Sequence, residues 1–313
     1  PVHDDWVGES APSGLKIWSE AYRSNMRRPL TLIRKVRQLV PAFIRANRVS
    51  AEHEEHPHDP MVRTRFNGRV SATRVTDAMI MDLDAVKGIR KAVDGSTVND
   101  VIVAIVGGGL RRYLQDKKEL PEYSLSCGAP ISMRQDSNSD SRGNQVSQMT
   151  ISLATDVEEP LERLAAVHAS ASESKEFSEA LGTSVLMDVS EVMIPQLLGW
   201  GMRAASIAGA AAEAPVPNHV IVSNVPGPQF PLYLAGAQVH LIMGMGPLLH
   251  MMGMFHAALS ASGKITINFV STREMMPDPA FYRQCLQEAF DELRIAAKKS
   301  TGKGKQGGKK FAS

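Results

Sequence analysis

An α/β fold, a mixed sheet with flanking helices, is what this sequence predicts. Three observations carry the expectation. Short apolar runs of strand character alternate along the chain with stretches of helical spacing. The helical stretches begin and end on capping and turn residues. No apolar run reaches the roughly 18 residues of a membrane-spanning helix, so a buried core is expected to take up the apolar surface.

The central element is the run Ser96-Thr97-Val98-Asn99-Asp100-Val101-Ile102-Val103-Ala104-Ile105-Val106-Gly107-Gly108-Gly109-Leu110-Arg111-Arg112-Tyr113-Leu114. Thr97 is a good N-cap, and Asp100 three residues on completes a capping-box pattern. Val98, Val101, Ile102, Ile105 and Val106 recur at helical spacing. The β-branched run alone also fits a core strand; the cap, the length and the Arg111-Arg112 end favour a helix. Each of the three glycines costs about 1 kcal/mol against alanine, which implies a close approach to the backbone at that point. Asn99 and Asp100 are polar groups in the first turn of an apolar helix. They read either as capping groups or as the floor of a site.

Before this element, residues 16–48 are basic and helical in pattern, with Pro41 as an interruption. Leu30, Ile33, Val36, Leu39, Val40, Phe43 and Ile44 form a stripe that either packs on a domain or lies on an anionic membrane. Residues 49–70 read as a polar loop. Its His53-Glu54-Glu55-His56-Pro57-His58-Asp59 run has metal-ligand chemistry without metal-motif spacing, and no metal is expected there. Residues 69–83 read as a strand, 84–93 as a helix, and Asp94-Gly95 as the turn into the central helix.

After it, residues 123–133 and 145–153 are strands separated by a polar loop. Residues 157–176 form a helix with His168 on its packed face, and 178–212 a long helical region kinked at Pro195. Val220-Ile221-Val222 is a short buried strand, followed by Asn224 and a sharp Pro226-Gly227-Pro228 turn. Met243, Met245, Met251, Met252 and Met254 crowd residues 239–254; methionines suit either an irregular core or a surface for varied apolar ligands. Residues 257–270 form a hairpin about Ser262-Gly263, and 278–297 a closing helix. Residues 298–313 hold six lysines with interspersed glycines and read as disordered.

The expected organisation is a basic helical linker or crossover over 1–70, a lobe over 71–297 and a lysine-rich tail over 298–313. Two cysteines, Cys127 and Cys285, are too few for a disulfide framework and suit a reducing cytoplasm. The net charge of +2 gives no ground for a nucleic-acid partner. A chain that starts at Pro1 without a signal pattern suggests processing or a cut.

Several runs together carry a resemblance. They are residues 96–114, Pro130-Ile131-Ser132-Met133-Arg134, Gly143-Asn144-Gln145-Val146-Ser147, and the stretch from Ala154-Thr155-Asp156 to Arg163-Leu164. The most specific is Ser223-Asn224-Val225-Pro226-Gly227-Pro228, followed by Leu232-Tyr233-Leu234-Ala235-Gly236-Ala237. In this order they resemble the C-terminal two thirds of the bacterial wax ester synthase/diacylglycerol acyltransferase family. The resemblance extends from about Leu15 to Leu293.

The resemblance implies a chloramphenicol acetyltransferase-like, CoA-dependent acyltransferase fold, in which two α/β lobes enclose a reaction tunnel. It implies transfer of a fatty acyl group from acyl-CoA, a substrate and not a resident cofactor, to a long-chain alcohol or diacylglycerol. The family's His-His-x-x-x-Asp-Gly motif supplies the base that deprotonates the hydroxyl. None of the nine histidines here has Asp four residues later, so that base is expected in an N-terminal lobe outside this chain, which alone is expected to be inactive. What remains is expected to shape the site: Asn99, Asp100 and Asn224 toward the oxyanion or substrate, with Gly108, Ser223, Met243 and Met245 as substrate-binding positions. The family's Ser-Tyr pair near Ala258-Leu259-Ser260 has no Tyr here, so acyl or alcohol selection is expected to differ. The expected location is cytoplasmic, peripheral to an anionic membrane or lipid droplet. A non-catalytic lipid-binding remnant and a condensation-domain-like acyltransferase are the alternative readings.

Overall fold

The computed structural model describes residues 13–16, 19, 22, 62–132, 146–181 and 218–307. The predicted helices over 16–48 and 178–212 and the His53–His58 run lie wholly or mostly outside these residues. The described elements follow the order β1 (Val75–Asp82), α1 (Leu83–Arg90), α2 (Val98–Asp116), β2 (Ser126–Ser132), β3 (Val146–Ser152) and α3 (Pro160–Leu181). Then come β4 (Val220–Pro226), β5 (Leu232–Leu234), β6 (Ala237–Val239), β7 (Met254–Ala261), β8 (Lys264–Ser271) and α4 (Pro279–Gly307).

Six strands form one mixed sheet in the order β1-β8-β7-β4-β2-β3, and β5 and β6 make a separate ribbon. β2, β4 and β7 run parallel, while β3 and β8 run against them. β1 pairs antiparallel with β8 and so points the same way as the parallel trio. The expected α/β class and mixed sheet are borne out. The β7–β8 hairpin turns at Ser262 and Gly263, both at positive φ, as a two-residue turn that follows the sheet's twist requires. Ala235 and Gly236, also at positive φ, do the same for the β5–β6 ribbon.

One face of the sheet carries the helices. Tyr282 of α4 packs edge-on against Phe269 and His256, which fixes the face of β7 and β8 toward α4. α2 sits at the centre of this layer, against α1, α3 and α4, and its residues from Asp100 to Leu110 are buried all round. A helix enclosed on every side is apolar all round, and this one reads so. The three glycines explain how it fits. A Cβ on Gly107 would lie 2.1 Å from the Leu153 carbonyl oxygen, one on Gly108 2.6 Å from the Arg163 guanidinium, and one on Gly109 2.7 Å from Leu286. The close approach implied by the glycines is therefore made by the protein itself.

α4 runs to Gly307, beyond the predicted end at residue 297, so part of the lysine-rich stretch is helical and not disordered. Lysine is a good helix former, and positive charge near a helix C-terminus complements its dipole.

The last part of the expected 49–70 loop is held firmly. Phe66 and Asn67 are buried. The Phe66 and Gly68 carbonyls accept from the Gly253 and Met251 amides. Asn67 Nδ2 donates to the carbonyls of His219 and Met251 at 3.2 and 2.9 Å. His219 donates from Nε2 to the Val62 carbonyl and accepts from the Ser126 amide at Nδ1, which fixes a neutral ring. These bonds gather residues 62–70 at the amino ends of β2, β4 and β7.

Candidate active site

The capping box at the start of α2 is present in full. Thr97 Oγ1 accepts from the Asp100 amide at 3.2 Å, and Asp100 Oδ2 accepts from the Thr97 amide at 2.8 Å. The same Oδ2 accepts from His168 Nδ1 at 2.8 Å. Asp100 is 3 % exposed, so its carboxylate is committed within the protein. The structure gives it a positioning role: it ties the first turn of α2 to α3 through His168. His168 is thus more than a packing residue, and it lies over Gly95, where a Cβ would come within 3.0 Å of its Nε2. The pairing of two residues 68 apart leaves no signal in local spacing.

Asn99, beside Asp100, is half-buried. Its place in the sheet architecture follows from the other end of the helix. Tyr113 Oη donates to Asp278 Oδ1 at 2.6 Å and Lys117 Nζ to Asp278 Oδ2 at 2.6 Å. Asp278 follows the end of β8, at the amino ends of the parallel strands, and there it opens α4. A helix of 19 residues is about 28 Å long, the length of an eight-residue strand. The first turn of α2 is thus directed to the carboxyl ends of β1, β7, β4 and β2. Ligands of open α/β sheets bind at these ends.

Asn224 stands at that same end, near the close of β4. Val222 pairs with His256 and Asn224 with Ala258, so both face the helical layer. Val222 is buried and Asn224 half-exposed, where the helical cover thins out. The structure therefore brings Asn99 and Asn224 to one end and one side of the sheet. The Pro226-Gly227-Pro228 turn closes over the next strand. Ser260 Oγ accepts from the Gly227 amide at 3.3 Å and from Gln229 Nε2 at 3.2 Å. A Cβ on Gly227 would lie 2.2 Å from the Ser260 carbonyl oxygen, which is why glycine stands in this turn.

The other expected positions separate. Gly108 is buried beneath Arg163 and Ala289, which fill the space a substrate would need. That expectation is corrected: the missing side chain is there for helix packing. Ser223 pairs with Ala257 and points to the opposite face from Asn224. On that second face lies the methionine-rich stretch. Thr266 Oγ1 donates to the Ile242 carbonyl at 2.9 Å, Gly244 rests on Leu259, and Gly246 rests on the Phe255 ring. Met243 and Met245 are 53 % and 71 % exposed between these glycines, so they form surface and not the wall of a closed cavity. Phe230, Tyr233, Leu234 and Val225 extend this exposed apolar surface.

The remaining perturbed groups are structural. His256 donates from Nδ1 to the Ile221 carbonyl at 3.3 Å and accepts from Tyr282 Oη at Nε2 at 2.7 Å. Burial lowers its pKa to about 4, so it is neutral. Burial pushes the Cys127 thiol up to about 12, which makes it a poor nucleophile. No group of histidine, cysteine or carboxylate side chains among the described residues is arranged to hold a metal.

The fold and the shared strand end define one lobe of a CoA-dependent-acyltransferase-type architecture. The model of the wax ester synthase/diacylglycerol acyltransferase catalytic domain matches residues 5–102, and that of the WS/DGAT C-terminal domain matches residues 142–294. The chain belongs to the wax ester synthase/diacylglycerol acyltransferase family.

Rv3480c of Mycobacterium tuberculosis, named as a diacylglycerol O-acyltransferase, is 32% identical over 232 residues, 74% of this chain and 46% of its own length. Rv1760 of the same organism, similarly named, is 30% identical over 265 residues, 85% of this chain and 51% of its own. The chain thus spans about half the length of these curated relatives. Among solved structures, the Marinobacter aquaeolei VT8 wax ester synthase/diacylglycerol acyltransferase superposes with a TM-score of 0.56 at 22% identity, covering 86% of this chain and 57% of that one. The X-domain from teicoplanin biosynthesis superposes at 0.51 with 14% identity, covering 93% and 59%. Both share the fold.

Proposed function

We propose that this chain is the C-terminal part of an O-acyltransferase that moves a fatty acyl group from acyl-CoA to a long-chain alcohol or diacylglycerol. The observation that supports this most directly is the placement of Asn99 and Asn224 at one strand end and on one side of the sheet, in a chain of this family. A carboxamide there can donate a hydrogen bond to the oxyanion formed when the hydroxyl attacks the thioester. Asp100 acts behind Asn99 as a positioning residue, held by Thr97 and His168.

The base that removes the hydroxyl proton belongs to an N-terminal lobe, which would also cover the exposed apolar surface around Phe230, Tyr233, Leu234 and Met245. The protein works at the surface of an anionic membrane or lipid droplet, where its lipid substrates reside. No helix among the described residues is long and apolar enough to cross a membrane.

Turnover of Asn99→Ala in the complete two-lobe protein, corrected for folded fraction, is the test. Loss of one oxyanion donor costs about 10²–10³-fold in turnover. Full activity of the folded variant would remove Asn99 from the site, and absence of acyl transfer in the wild type would remove the acyltransferase reading.

A further inference from the structure

β1 forms one edge of the six-stranded sheet, with β8 on one side and no described strand on the other. The ladder to β8 decides which backbone groups are left over. The Leu83 amide donates to the Gly263 carbonyl, and the register carries this alternation back through Met81, Met79, Asp77 and Val75. The amides and carbonyls of Thr76, Ala78, Ile80 and Asp82 therefore point away from β8. Among the described residues, only the Ala78 amide has a partner on that side, Asp77 Oδ1 at 2.7 Å. An edge of eight residues in unbroken register and without proline is a template for a further strand.

Space for that strand lies beside it. A groove of about 600 Å³ runs between this edge and the first turns of α4, lined by Ala78, Ile80, Ala280, Arg283, Gln284 and Gln287. The four α4 residues lie on one face of the helix. Three of them are uncharged, and Arg283 Nε donates to Asp77 Oδ2 at 2.9 Å. This stripe brings no unpaired charge to a copy of itself, as a two-fold interface requires. On the other face of β1, the Ile80 side chain is 46 % exposed.

The charges of β1 select both the occupant and the register. Arg74, just before the strand, and Asp82, its last residue, are both exposed. An antiparallel copy of β1 centred on Ala78 sets Ala78 against its own counterpart, Thr76 against Ile80, and Arg74 against Asp82. By symmetry the ion pair forms twice, once at each end. Moving the register by one hydrogen-bonded step sets Asp82 against Thr76 or Ala72 and loses both pairs. We propose that β1 is an interface between two copies of this chain, joined into one continuous sheet by antiparallel pairing of β1 with itself about Ala78. Both copies keep their helices on one side, with the two α4 stripes facing each other across the groove. The Asp77 carboxylate gives up the Ala78 amide and stays on Arg283. That competition makes the pairing reversible. The pairing is independent of the reaction the chain takes part in.

Sedimentation equilibrium of the 313-residue chain tests this, with a melting curve for each variant. Arg74→Asp and Asp82→Arg each set like charges opposite one another at both ends. Each is expected to weaken dimerisation by about tenfold or more. The double variant exchanges the two charges and is expected to return to within about threefold of wild type. Ile80→Pro removes an outward amide and no bond to β8, a place where edge strands accept proline. It is expected to abolish the dimer while the monomer stays folded; if it unfolds the chain, the charge exchange carries the test. A wild type that stays monomeric at about 0.1 mM, a double variant that dimerises no more tightly than either single variant, or a dimer indifferent to all these changes would each overturn the proposal. The last result would move the association to the exposed apolar surface around Leu234.

Discussion

Glycine-to-alanine substitutions at two helical positions should change stability in opposite directions. Alanine is better than glycine in a helix interior by about 1 kcal/mol, so a helix with free space beside it gains from the change. Gly88 in α1 is such a position, with nothing within 4 Å of where its Cβ would stand. Gly107 in α2 is the reverse, its Cβ position only 2.1 Å from the Leu153 carbonyl oxygen. An ordinary contact there is more than 1 Å longer, and the three nearest atoms all belong to the Leu153 backbone, so no rotamer change relieves it. Overpacking of this kind costs about 1–3 kcal/mol, and the upper end applies because the helix itself has to move. Subtracting the helix-propensity gain leaves a net loss of about 2 kcal/mol at Gly107. At about 2–4 °C per kcal/mol for a domain of this size, Gly88→Ala should raise the melting temperature by about 2–4 °C and Gly107→Ala lower it by about 4–8 °C. Calorimetry on the two variants reads both signs. A Gly107→Ala protein that melts at or above wild type would refute the account of why three glycines interrupt the central helix.

The remaining expectations concern the cap, the buried histidine, the α4 anchor and the basic segments. Thr97→Ala should cost about 1 kcal/mol through loss of the N-cap, measured by urea unfolding; an unchanged midpoint would mean that His168 alone holds Asp100. His256, lowered to about 4 by burial, folds in its neutral form. Its contribution is therefore complete above the unfolded value near 6.5 and is lost as pH falls toward 4, by up to about 3 kcal/mol. Unfolding at pH 7 and 4.5 should show a steeper loss in wild type than in His256→Gln, and parallel losses would refute this. Asp278→Ala removes the acceptor of Tyr113 and Lys117 and should cost about 1–3 kcal/mol; a neutral result in urea unfolding would show that the anchor is dispensable. Residues 16–48 and the lysine-rich end should bind phosphatidylglycerol vesicles, each cation adding about 1 kcal/mol before screening. Sedimentation that ignores lipid charge or salt would leave these segments as solvated surface.

Much of the lobe could be read from local pattern. The capping box of α2 is a four-residue signal, and Thr97 and Asp100 bond as that signal specifies. The β7–β8 hairpin follows from Ser262-Gly263, whose positive φ values suit a tight turn. What escaped depends on long-range pairing. His168 reads as a packed residue because Asp100 lies far away in sequence. Ser223 and Asn224 look like one site as neighbours, yet a strand sends successive side chains to opposite faces. Gly108 looks like an opening for substrate because a sequence shows the absent side chain but not the Arg163 guanidinium that occupies its space.

The stitching of residues 62–70 has a mechanical consequence. Asn67, Phe66 and Gly68 fasten the chain to the amino ends of the parallel strands. Asn99 and Asn224 stand at the carboxyl ends. Whatever precedes Val62 is thus moored about one strand length, some 26 Å, from the shared strand end. An upstream side chain that works there must be carried back along the lobe by at least about eight extended residues. The mooring separates two tasks. The chain's fastening point and the two asparagines thus sit at opposite ends of the sheet.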